Sequence, residues 1–122
     1  MGKTIFVSIP CFMDDSELFN TILSCFSNAK NPKNIKMGIA FIGDPIFYNN
    51  IKEKFEKFNN IKMQYYDFKN NYGVAKSRIL ARSMYAQEDY FLQIDAHALF
   101  EYGWDEYLIN KFEKAKKEIK RE

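Results

Sequence analysis

"TIFVSIPCFMDDSELFNTILSCFSNAK", residues 4–30, is the stretch on which the fold turns. Its first six residues, Thr4 to Ile9, are rich in β-branched side chains and almost unbroken in apolar character, as in a strand buried on both faces. Pro10 has no N–H to donate and is expected to end the ladder there. Asp14 and Asp15 then put acids where a first helical turn favours them, and apolar residues at 18, 19, 22, 23 and 26 mark one helical face. The unit is a strand, a break and an amphipathic helix.

The unit recurs. "IKMGIAFIGD" (35–44) predicts a second strand, and Pro45 opens a helix with apolar positions 47, 51, 55 and 58. "IKMQYYDF" (61–68) alternates in polarity and predicts a third strand toward a sheet edge, followed by a turn at "NNYG" (70–73). Residues 74–85 are helical in pattern, and "YFLQID" (90–95) is expected to be a fourth, buried strand. The tail from Trp104 begins amphipathic, with Tyr107, Leu108 and Phe112, and ends in the charged run "EKAKKEIKRE", a solvated helical face. Strands alternating with helices predict an α/β, Rossmann-like, largely parallel sheet with flanking helices.

Bulk composition agrees with one domain. The 122 residues are 47% hydrophobic and 17% aromatic, enough apolar bulk for one covered sheet. Eighteen basic and sixteen acidic groups leave a net charge of +2, without the concentrated basic face that nucleic acid requires. Two cysteines, Cys11 and Cys25, cannot build a disulfide framework, and no run of residues reads as a signal peptide or membrane span. The expectation is a soluble, cytoplasmic protein with no nucleic-acid partner.

In open parallel sheets, ligands bind beyond the carboxyl ends of the strands. The polar residues that follow each predicted strand fit that rule: 10–15, Asp44, Asp67 with Asn70–Gly73, and Asp95–Ala96–His97. Side chains at i and i+2 of extended backbone point the same way, so Asp95 and His97 can share one target. A carboxylate with a neutral imidazole suits a divalent metal of intermediate hardness, such as manganese. The same D-x-H also reads as a capping acid beside a histidine packed under the tail.

The stretches "TIFVSIPCFMDD", "NPKNIKMGIAF", "GVAKSRILARSMYAQEDYFLQIDAHALF" and "GWD" together resemble the GlcNAc-type glycosyltransferases that modify protein hydroxyl groups. More distantly they are similar to the polypeptide GalNAc-transferases, whose metal motif is also Asp-x-His. The resemblance runs from residue 4 to 105. It implies a GT-A fold and a UDP-sugar donor. It also implies a divalent metal, Mn2+ with Mg2+ as the alternative, and transfer with retention to a glycan or protein hydroxyl acceptor.

By that resemblance residues 1–122 form a single nucleotide-sugar-binding domain, with the acceptor half absent. Asp95 and His97 would hold the metal, with Ala96 between them against the diphosphate. The end of the first strand, Ser8 to Phe12 and so Pro10, Cys11 and Phe12, would line the nucleoside, and Asp14 matches an acid that follows. Asp44 would contact the uracil ring or, equally, cap the next helix; Arg78 would hold the nucleotide or lie on the surface. Gly73 permits a turn beside the phosphates, and Trp104 reads as packing. Met13, Ala96 and Leu99 depart from the family pattern, which often has Arg, Ser and a basic residue there. Two other readings accompany transfer: a nucleotide-sugar-binding module without transferase activity, and a protein-interaction scaffold that forms homo-oligomers.

Overall fold

The computed structural model describes residues 3–12, 17–66 and 74–120. In chain order they form β1 (Ile5–Phe12), α1 (Leu18–Ser27), a short 3-10 turn (Pro32–Asn34), β2 (Ile35–Ile42) and α2 (Pro45–Phe55). Then follow β3 (Ile61–Tyr66), α3 (Val74–Arg82), β4 (Tyr90–Gln93) and α4 (Trp104–Lys120). The four strands make one all-parallel sheet in the order β3-β2-β1-β4. The predicted Rossmann-like α/β class is the observed one.

Register assigns the two faces of the sheet. Ile5, Val7, Ile9 and Cys11 of β1 lie beside Ile35, Met37, Ile39 and Phe41 of β2, and both rows belong to the main core. Leu18, Ile22 and Cys25 of α1, Tyr48, Ile51 and Phe55 of α2, and Trp104 of α4 pack onto that face. The opposite face carries Phe6 and Ala40 under Ala81 of α3 and Met84 just beyond it. Gly38 sits in this second layer; a Cβ built on it would lie 2.6 Å from Phe6 Cζ and 3.0 Å from Met84 Cβ. The ring occupies the space a side chain would need.

Three expectations are corrected. Pro10 does not end β1, which runs on to Phe12 opposite Ile42. Thr4 O accepts from Tyr90 N and Ser8 O from Ile94 N, so even-numbered residues of β1 turn their backbone groups toward β4. Rungs with β4 stop at Gln93, and the missing N–H of Pro10 faces the side where no rung remains. Next, β4 is an edge strand, with Phe91 and Gln93 exposed, because the chain returns past β2 and β1 to pair on the far side of β1. Finally, the buried stripe of α1 is Leu18, Thr21, Ile22 and Cys25, whereas Leu23 is 41% exposed. The edge position expected for β3 is the observed one, with Lys62 and Gln64 facing solvent.

Candidate functional site

The strand order creates a switch point. From β1 to β2 to β3 the sheet grows one way, with α1 and α2 on one face; the next connection carries α3 across the other face and lands β4 beside β1. The strand order therefore reverses between β1 and β4, the kind of place at which ligands of open parallel sheets bind beyond the carboxyl ends of the strands. Pro10 to Phe12 extend β1 beyond the last rung with β4, and the turn at Ala96–His97 follows at the same end of the sheet.

That turn alternates. Asp95 is exposed, Ala96 is buried at 4% exposure in the main core, and His97 is exposed. The middle residue anchors the turn while the Asp95 and His97 side chains stay on the solvent side. The Asp95 carboxylate accepts no hydrogen bond among the described residues. A carboxylate oxygen and an imidazole nitrogen are a donor set that fits a divalent cation, with further positions left for phosphate oxygens and water. Among the described residues no group of three or more His, Cys, Asp or Glu side chains gathers in one place, so no third side chain of these types joins Asp95 and His97 there.

The other expected residues are placed less uniformly. Pro10 is half-buried, and Cys11 is fully buried in the main core. Ser8 is also fully buried, its hydroxyl without a hydrogen-bond partner among the described residues, so it is sealed beneath the surface. Asp44 caps α2, its Oδ1 accepting from Ile46 N at 2.9 Å. Arg78 is exposed on α3, with no ion pair among the described residues. The Phe12 side chain, Asp14, Asp67 and Asn70–Gly73 lie outside the described residues.

What the sequence reading missed is the support beneath the turn. One stripe of α1, at i, i+3, i+4 and i+7, bonds the segment that follows β4. The Thr21 hydroxyl donates to Ala96 O at 2.7 Å, and the Ser24 hydroxyl oxygen accepts from Phe100 N at 3.2 Å. Cys25 O accepts from the Trp104 indole at 2.9 Å, and the Asn28 amide donates to Phe100 O at 2.6 Å. Asp105, 1% exposed, closes the clamp: its two oxygens accept from Lys30 N and Asn31 N, each at 2.9 Å. Gly103, at φ +77°, makes the tight approach in which its N–H donates to Asn28 O. The available signal was small polar residues at helical spacing beside the apolar stripe.

Electrostatics follow the same clamp. Burial pushes the Cys25 thiol well above its ordinary range, and the Asp105 charge adds to the effect. Cys11 and Cys25 are both buried free thiols. Trp104, buried with its ring tilted against Phe100 at 4.5 Å between centroids, is the packing residue expected.

Fold and site together define a Rossmann-like α/β protein with an acid–histidine pair just beyond the end of an edge strand. The sequence model of the family described as "Glycosyltransferase (GlcNAc)" matches residues 47–121, and the chain belongs to that family. The match contains Arg78, Asp95 and His97, and begins after β1, α1 and β2. No curated protein matches the chain. Among the described residues no helix is long and apolar enough to cross a membrane.

Proposed function

We propose that this glycosyltransferase-family chain binds a UDP-sugar through a divalent cation, Mn2+ or Mg2+, held by Asp95 and His97, for transfer of the sugar to a glycan or protein hydroxyl. The observation that carries the reading is the exposed pair at the switch point, with Ala96 buried between its members. A bound cation would neutralise the diphosphate and stabilise the charge that develops on the leaving oxygen.

The chain's own groups divide the remaining work. Asp95 supplies a hard anionic oxygen, and His97 supplies a lone pair as long as its imidazole is neutral. Arg78, exposed on α3 and without an ion pair among the described residues, would meet phosphate oxygens with a planar guanidinium. The end of β1 would form the wall against the nucleoside, with Asp44 at the neighbouring strand end.

Calorimetric titration of UDP into the chain, with and without Mn2+, tests the reading on wild type, Asp95→Ala and His97→Ala. Binding should need the cation and both side chains. UDP that binds equally without Mn2+, or equally to both variants, would refute the metal role; no UDP binding at all would refute the donor assignment.

A further inference from the structure

We propose that Thr21 is a positioning residue for the Asp95–His97 pair, holding the peptide between the two side chains through its buried hydroxyl. This inference rests on the reading that the pair holds a divalent cation.

Thr21 is fully buried, and its Oγ1 donates at 2.7 Å to the carbonyl of Ala96, 75 residues away in sequence. A helical threonine ordinarily returns its hydroxyl to a carbonyl in the preceding turn. Here Glu17 O receives the Thr21 backbone N–H, at 2.9 Å, and the hydroxyl turns across to the segment after β4. A valine would fill the same volume without burying a polar atom, so the hydroxyl at this position is explained by the carbonyl it holds.

That carbonyl is specific in its location. Asp95 and His97 are joined through Ala96, and the Ala96 carbonyl belongs to the peptide leading directly into His97. With the Ala96 methyl buried in the core, this bond restrains both the path and the rotation of the turn. The remaining clamp bonds, from Ser24, Cys25, Asn28 and Asp105, act on residues 100–105 or close onto that end of the segment. Loss of the Thr21 hydroxyl should therefore loosen the pair while the rest of the segment stays docked.

The chain contains one histidine and one tryptophan, which supplies two internal probes. In tag-free protein, titrated Mn2+ should broaden the His97 ring signals, and the Trp104 indole N–H signal reports whether the clamp is intact. Thr21→Val should need about tenfold more Mn2+ for the same broadening, the low end of the effect of removing a group that orients a metal ligand, with the Trp104 signal unmoved. Thr21→Ser, which keeps the hydroxyl, should restore wild-type affinity, and it stands as the test if the valine variant fails to fold, because a serine variant with weakened Mn2+ binding and an intact Trp104 signal contradicts the inference. Wild-type affinity in a folded Thr21→Val variant would overturn the positioning role and leave the metal reading standing. A His97 signal that Mn2+ does not broaden in wild type would overturn both.

Discussion

Replacing Asp105 by asparagine keeps the volume of the side chain and changes only its charge and its hydrogen bonding. The carboxylate, nearly inaccessible, accepts from Lys30 N and Asn31 N at 2.9 Å through separate oxygens. An asparagine can accept through one atom only, so its amide NH2 must face the second backbone N–H, donor against donor. Hydrogen bonds to a charged acceptor are each worth about 1.5–3 kcal/mol, so losing one and neutralising the other should destabilise the fold by about 3 kcal/mol. At a urea dependence of about 1.5 kcal/mol per molar, the midpoint should fall by about 2 M. Trp104, buried next in sequence and bonded to Cys25 O, gives the fluorescence signal for the transition. Asp105→Ala should fall by a similar amount, since removing the carboxylate deprives both donors. A midpoint shift below about 0.5 M for Asp105→Asn would mean that water replaces these bonds without loss, and the clamp would not be what secures the segment after β4.

Gly38→Ala should destabilise by about 1–3 kcal/mol, because its Cβ would meet Phe6 Cζ at 2.6 Å. Combining it with Phe6→Leu should recover part of that loss in a double-mutant cycle of urea midpoints, and strict additivity would refute the clash. Cys11 and Cys25 are buried, and the Cys25 thiol is held above its ordinary range, so a disulfide reagent at pH 8 should label neither until urea unfolds the chain. Rapid labelling in native buffer would contradict their burial. The Tyr90 hydroxyl donates to Glu113 at 2.6 Å, and this bond, with burial and the neighbouring acidic charge, pushes the phenol up to about 12 from its ordinary 10.0. Because the folded state holds the proton more tightly, this stabilisation is complete below pH 10 and fades as pH rises from 10 toward 12. The stability difference between wild type and Tyr90→Phe should shrink across that window; a difference independent of pH would refute the linkage.

Much of this protein was legible without coordinates because its elements have different periods. Largely apolar runs at 4–9 and 35–42, alternation at 61–66, and helical spacing at 47, 51 and 55 each need only local chemistry to be read. They suffice for an α/β class with parallel strands, and for placing Asp95 and His97 at a strand end. The resemblance of "GVAKSRILARSMYAQEDYFLQIDAHALF" to the GlcNAc-type glycosyltransferases agrees with the family match over 47–121.

Order and support came from tertiary structure alone. Nothing within residues 90–93 says that β4 pairs with β1 at an edge, because strand order depends on which faces the crossing helices cover. Pro10 looked like a stop because its missing donor is a local fact, whereas the side toward which that donor would point is set by register with two neighbours. Thr21, Ser24 and Asn28 read as an ordinary polar flank of α1, since their partners lie more than 70 residues away in sequence. Periodicity reports what a segment buries; only the folded chain decides what that segment holds in place.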